Sequence, residues 1–356
     1  MTLDQPDERV ATAAAHWGAR FTANGTEYGD FVATLGRITR WDDWCREWGS
    51  TARRYERLAE SAEDAGHQQT AAGAWRRAAL AWHWGKFVFV DHPDEQRAAH
   101  ERTVACHRKA AGALAPPAEL VHIPYGDTSL PAYLRVPAAS VRNPVVIMLP
   151  GLDSTKEELQ ATAGYMLARG LATIAVDGPG QGESEYALAI EPAYEKVATA
   201  AVDYLTKRED VDTGNIGAFG VSLGGYYAAR AAAYEPRLKA TVALAGPYRF
   251  DLDWDDLPPQ TRATFQVRSG AATRAQARER AGQLTLEEAA PRITGPLLVV
   301  AGANDRLVPA YHAERLAAHA PGAELVIYPD GSHGVTNHAY ESRSRMADWL
   351  AARLRG

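Results

Sequence analysis

An α/β fold, with a mostly parallel twisted sheet flanked by helices and an all-α unit in front of it, is predicted by three observations. From about residue 119, short apolar runs of strand type alternate with helix-length segments. Before residue 118 β-branched runs are few, alanine and arginine dominate, and seven of the nine tryptophans lie ahead of residue 85. Third, Gly220-Val221-Ser222-Leu223-Gly224 joins an apolar run ending at Phe219 to an alanine-rich stretch, Tyr226 to Tyr234. A G-x-S-x-G between strand and helix is the signature of a nucleophile elbow. The turn is so sharp that side chains two residues either side of the serine would collide, which is why glycine stands there.

In the first part, helices are expected over 8–20, 28–36, 40–64, 67–90 and 93–114, with Pro93 opening the last and Ala115-Pro-Pro117 ending it. Residues 1–118 thus form one unit and 119–356 a second. The second opens with a hairpin, Leu120–Pro124 and Leu130–Arg135. Strands at 144–149, 171–176, 215–219, 240–245, 295–301 and 324–329 then alternate with helices near 154–169, 191–207, 222–234, 311–320 and 338–354. Residues 246–295 carry no strand signal and include Trp254, Pro258-Pro259 and a charged helix around 273–289. So long a crossing suits a cap-like insertion better than a plain connection.

An elbow serine needs a base and an acid that orients the base, in the chain order Ser, acid, His. Asp305 follows the buried-type run Gly295–Ala301, and His333 sits on a glycine-flanked loop after the run Glu324–Pro329. Both fall past the carboxyl ends of strands, where parallel sheets place their chemistry. Ser222, Asp305 and His333 are therefore the expected catalytic triad. The oxyanion hole is expected from the N–H of Leu223, after the nucleophile, and of Leu152, in the loop Pro150-Gly151-Leu152-Asp153. Asp153 either touches substrate or caps a helix from about Ser154. The loop Asp177-Gly-Pro-Gly-Gln-Gly-Glu-Ser184 has the glycines of a phosphate cradle but no following Gly-Lys-Ser/Thr, so it reads as a structural turn beside the elbow.

At 356 residues with net charge −6, and without any basic run, the chain is not expected to bind nucleic acid. No apolar run reaches membrane-spanning length, and the first residues lack the layout of a signal peptide. The two cysteines, Cys45 and Cys106, lack metal-ligand spacing and suit free thiols in a reducing cytoplasm. The eleven histidines are scattered, so neither a metal nor another cofactor is expected.

Taken together, the Ser222 elbow, the Asp305 and His333 loops and Pro150-Gly151-Leu152 resemble the α/β-hydrolase superfamily. The helical part carries Gly85-Lys-Phe-Val-Phe89 and Ala98-Ala-His-Glu-Arg102, and the second part carries Pro150–Glu157 and Gly246-Pro-Tyr248. These segments resemble the 2,6-dihydroxypseudooxynicotine hydrolase-like group, related to the fermentation-respiration switch esterases. The resemblance implies the α/β-hydrolase fold with an N-terminal all-α lid domain. It also implies hydrolysis of a carbon–carbon bond beside a ketone in a bulky aromatic or polyketide-like substrate, and a homodimer. An acidic residue after the elbow belongs to the family pattern, and within Asp251–Asp256 we take Asp253 for it. A lid would bring Trp82, His83 and Lys86 to the substrate, or those residues form an ordinary helix-packing face.

Two alternatives remain open from the sequence. The same machinery would cleave an ester, lactone or thioester, whose leaving group needs no electron sink. A biosynthetic cyclase or dehydratase would use the pocket and His333 without net hydrolysis.

Overall fold

Alanine decides how the first 118 residues pack. The computed structural model describes residues 7–137 and 142–355 of the chain, and its contacts divide between Ala118 and Glu119 into two units. In the first unit, α4 (Gln68–Lys86) buries side chains around most of its circumference, as a central helix does. Its alanines let α3 (Trp44–Asp64) and α5 (Pro93–Ala111) pack closely on either side of it. The bulk comes from aromatic rings: Phe21, on α1 (Glu8–Ala23), stacks on Trp84 with centroids 3.9 Å apart and meets Trp48 edge-on at 5.4 Å. The short α2 (Tyr28–Leu35) completes the unit.

Two helix ends differ from expectation. Trp41–Asp43 form a 3₁₀ turn, so α3 starts at Trp44 rather than at 40. α4 stops at Lys86 rather than 90, because Val88 takes a left-handed φ of 48° that turns Phe87 and Phe89 inward, where both are fully buried.

The second unit is an eight-stranded sheet in the order β1-β2-β4-β3-β5-β6-β7-β8. Its strands are β1 (Glu119–Tyr125), β2 (Thr128–Arg135), β3 (Asn143–Leu149), β4 (Ala172–Val176), β5 (Val211–Val221), β6 (Leu238–Leu244), β7 (Leu297–Gly302) and β8 (Glu324–Tyr328). The leading hairpin β1–β2 pairs antiparallel and joins β4 antiparallel; every other pairing is parallel. Val146 and Met148 face one core with Phe219, Val242 and Leu244, closed by α6 (Gln160–Leu167) and α12 (Ala339–Leu354). Their neighbours Val145, Ile147 and Leu149 are also fully buried, as strands covered on both faces require. The remaining helices are α7 (Glu195–Leu205), α8 (Leu223–Tyr234), α9 (Pro259–Arg268), α10 (Arg274–Gly282) and α11 (Tyr311–His319).

From β3 the chain crosses to β4 on one side and then to β5 on the other. That reversal opens a crevice at the carboxyl ends of β3 and β5, the place where such sheets bind ligands. Between β6 and β7, residues 245–296 hold α9, α10 and a 3₁₀ turn, with one isolated bridge, Arg249 to Thr285. Phe250, Trp254 and Phe265 give this insertion its own aromatic core, Phe250 stacking on Phe265 at 4.8 Å.

Within the helical unit a single carboxylate closes several bonds. Glu56 Oε1, nearly inaccessible to solvent, accepts from Trp82 Nε1 at 2.8 Å, Arg102 Nη2 at 2.5 Å and Cys106 Sγ at 3.3 Å. Glu56→Ala strands the buried Trp82 and Cys106 donors and is expected to destabilise the unit by about 1–3 kcal/mol. Urea unfolding followed by tryptophan fluorescence checks this, since most of the indoles lie in this unit.

Candidate active site

β5 ends at Val221 and α8 begins at Leu223, leaving one residue, Ser222, to reverse the chain. It does so at φ 59° and ψ −128°, a strained conformation for a residue with a side chain. Two backbone bonds hold it: Ser222 N–H donates to Leu244 O at 2.8 Å, and Gly225 N–H to Ser222 O at 2.7 Å. A Cβ at residue 220 would run into the Gly224 carbonyl oxygen, and one at residue 224 into that of Leu149. The strain therefore persists only with glycine at both places.

Asp305 lies in the loop after β7 and His333 in the loop after β8. Asp305 Oδ1 accepts the N–H groups of Leu307 at 2.9 Å and Val308 at 3.0 Å, which aims Oδ2 at His333 Nδ1, 2.7 Å away. A carboxylate accepts, so Nδ1 carries the proton and Nε2 is left as the acceptor facing Ser222 Oγ at 2.9 Å. His333 is 8% exposed and Asp305 6%, whereas Ser222 is only half-buried, so the hydroxyl is the accessible member of the series. The histidine loop is braced as well. Asn337 accepts the Ser332 N–H at 2.8 Å and donates to Asp330 O at 2.9 Å, while Asn304 N–H donates to Gly331 O at 2.9 Å, tying the acid loop to the base loop.

Leu223 occupies the first position of α8, where a backbone N–H has no acceptor within the helix. Across from it, the loop after β3 lies hard against Ser222: a Cβ on Gly151 would sit 3.0 Å from Ser222 Cβ and 3.0 Å from Val221 O. Leu152, the next residue, is buried.

The other expected site residues have these surroundings. Asp153 caps no helix, because α6 begins only at Gln160. Residues 156–159 form turns, with Leu159 N–H on Thr155 O at 3.3 Å, and the loop after β4 fastens them: Lys156 N–H donates to Asp177 Oδ1 at 2.7 Å and Lys156 Nζ to Oδ2 at 2.8 Å. The Asp253 carboxylate accepts from Tyr311 O–H and His312 Nε2, both at 2.6 Å. His312 Nδ1 in turn accepts the Tyr248 N–H at 3.1 Å, so the proton of this imidazole sits on Nε2. Burial depresses His312 despite the pull of Asp253, and Asp253 thus fastens the insertion to the start of α11. Trp82 gives its indole N–H to Glu56, His83 packs at 4.7 Å from the Trp84 ring, and Lys86 is fully buried at the end of α4.

Sequence reasoning missed the side chains around the loop after β3. Gln181 Nε2 donates to the carbonyls of Pro150 and Gly151, and Arg268 Nη1 to that of Leu152. A glutamine between Gly180 and Gly182 was the available signal; Arg268, on the insertion, offered none.

Two family models match the chain: Esterase FrsA-like over residues 23–255 and Prolyl oligopeptidase family over residues 158–356. The chain is 36% identical to 2,6-dihydropseudooxynicotine hydrolase of Paenarthrobacter nicotinovorans over 342 residues, 94% of this chain and 90% of that protein. This chain belongs to the α/β-hydrolase superfamily, in its dihydroxypseudooxynicotine hydrolase-like group. It is accordingly an enzyme of the hydrolase class. The crystal structure of 2,6-dihydroxy-pseudo-oxynicotine hydrolase matches this α/β-hydrolase with a TM-score of 0.88 at 35% identity, covering 95% of each chain. A 20-hydroxy-prefusarin hydrolase of Gibberella moniliformis is 36% identical over 239 residues, 63% of this chain and only 57% of the fungal protein. The described residues contain no helix long and apolar enough to cross a membrane.

The geometry of this hydrolase makes two predictions. In Gly151→Ala the new methyl meets Ser222 Cβ and a backbone oxygen, neither of which can yield, so the loop must retreat. The rate at which a fluorophosphonate labels Ser222 is expected to fall about ten- to a hundred-fold, with thermal stability little changed. The second concerns Asp177, whose carboxyl burial pushes up to about 6 against the pull of Lys156, with Glu157 adding to the rise. A folded value above the ordinary one means that protonation favours the fold. That contribution is complete below about pH 4 and is lost as pH rises through about 6. Calorimetric melting from about pH 4 to about pH 7 is expected to carry this falling component, and Asp177→Asn to flatten it.

Proposed function

We propose that this hydrolase uses Ser222 as nucleophile to cleave a carbon–carbon bond beside a ketone in a bulky aromatic or polyketide-like substrate. The observation that carries the reading is the unbroken series Ser222 Oγ, His333, Asp305, at 2.9 and 2.7 Å, with Gly151 pressed against the serine. The substrate class is supported by the relatives, whose names make them hydrolases of a pseudooxynicotine and of a prefusarin.

In the proposed reaction Ser222 Oγ bonds to the ketone carbon while its proton passes to His333 Nε2. Asp305 holds the imidazole in its tautomer and balances the imidazolium. The oxygen that gains the electron pair takes hydrogen bonds from the Leu152 and Leu223 N–H groups, each worth about 3–4 kcal/mol in comparable sites. When the carbonyl reforms, the carbon–carbon bond breaks and its electron pair goes to the departing carbon, which a neighbouring ketone or phenol must stabilise. His333 returns the proton to that carbon. Water, deprotonated by the same imidazole, then hydrolyses the acyl-serine to a carboxylate and restores the hydroxyl. The helical unit is assigned the substrate-covering role in this reading. Cys45 and Cys106, both buried free thiols, support a reducing, cytoplasmic setting.

Ester or thioester cleavage is the second reading, favoured by the match to the esterase family model over residues 23–255. Turnover of β-diketones and aryl esters in ¹⁸O-water separates the two. Faster cleavage of the diketones, with label in the new carboxylate, is expected; turnover of esters alone overturns the carbon–carbon reading. Ser222→Ala should lose at least about 10⁴-fold in kcat, and Asp305→Asn a similar factor. A Ser222→Ala variant with near-native turnover removes the nucleophile from the scheme.

A further inference from the structure

We infer that Gln181 and Arg268 are positioning residues of the oxyanion hole, clamping the Pro150–Leu152 backbone so that the Leu152 N–H is presented to the nucleophile. The inference rests on the reading above that Leu152 is a donor to the oxyanion. In a trans peptide the C=O of one residue and the N–H of the next point to opposite sides. Gln181 Nε2 donates to the Gly151 carbonyl at 3.0 Å and also to the Pro150 carbonyl. Holding the Gly151 oxygen on the Gln181 side sends the Leu152 N–H the other way.

The amide cannot present its other end. Two carbonyl oxygens face it, and only an NH₂ group can satisfy both. Its Oε1 is then left to accept the Tyr194 O–H, as observed. Tyr194 is itself immobilised, fully buried and stacked on Tyr227 with ring centroids 3.6 Å apart.

Arg268 secures the next peptide. From the last turn of α9 its Nη1 donates to the Leu152 carbonyl and, at 3.3 Å, to that of Gly180, while Nη2 pairs with Glu185 at 3.0 Å. The side chains of Arg268 and Glu185 are 3% and 5% exposed. A buried ion pair does little for stability after its desolvation, but here it locks three separate segments: the loop after β3, the loop after β4 and the insertion. Arg268 O closes the arrangement by accepting the Ile190 N–H at 2.9 Å. Neither side chain reaches the reacting atoms. Both act through the main chain of residues 150–152.

The test uses the full-length protein with Gln181→Met and Arg268→Lys, which keep volume and, for lysine, the charge opposite Glu185. Amide hydrogen exchange of the peptide spanning residues 149–153 is measured alongside kcat and KM on p-nitrophenyl butyrate. Affinity for an aryl trifluoromethyl ketone, whose serine adduct places an oxyanion in the hole, is measured with them. Expected are faster exchange confined to that loop, kcat down about ten- to a hundred-fold with KM within about three-fold, and a matching loss of ketone affinity. Arg268→Lys, which keeps the charge but gathers its donors on one nitrogen, should be the milder variant, and Arg268→Met the more severe. Native-like exchange and kcat overturn the clamp, and so does exchange raised throughout the sheet, which marks a merely structural role. If the wild type neither hydrolyses the ester nor binds the ketone, the proposed function fails, while loop exchange still decides whether Gln181 and Arg268 hold the backbone.

Discussion

The Leu149 and Gly224 carbonyl oxygens occupy the space that side chains at residues 224 and 220 would need, and the site depends on that exclusion. It lets the start of α8 pass close to the end of β3, with Ser222 at the apex in a conformation its own side chain disfavours. The chain order around the sheet places the loop after β3 there too, because β3 and β5 are neighbours where the winding reverses. A serine, a helix start and a glycine-backed loop meet as a consequence of topology and of three missing methyl groups.

Asp305 and His333 reach Ser222 on loops that follow the last two strands. Their positions are set by main-chain contacts as well as by the hydrogen bond between them. Asp305 is oriented by two N–H groups of its own loop, and that loop is joined to the histidine loop through Asn304 and Gly331. The insertion is fastened at both ends of this assembly, by Asp253 on Tyr311 and His312 and by Arg268 on Leu152. The start of α11 and the loop after β3 are thereby coupled through one segment that contributes no strand.

Much of this was legible in the sequence because period and punctuation carry it. Apolar runs bounded by glycine and proline mark strands, and each of Ser222, Asp305 and His333 follows such a run, so their convergence could be read from order alone. What failed to show were features decided by distant partners. A helix from Ser154 has adequate local propensity, yet residues 156–159 form turns, fastened through the Lys156 N–H and side chain to Asp177, twenty-one residues on, and the helix begins only at Gln160. Asp253 stood in an acidic run with nothing to mark its pairing with Tyr311 and His312. Gln181 sat in a glycine-rich turn whose glycines drew attention from the residue between them. Val88 carries a left-handed φ that no local pattern for valine suggests.

One feature of the sheet bears on how such an enzyme fails. Among the described residues β8 pairs with β7 alone, and His333 lies in the loop that follows its far end. Marginal strands open first on warming, since they have ladder bonds on one flank only. The imidazole is therefore withdrawn by fraying that leaves the central strands, the elbow and the serine untouched. In the proposed reaction, heat would then remove the imidazole from the serine at a temperature where the protein's bulk spectroscopic signature still reads as native.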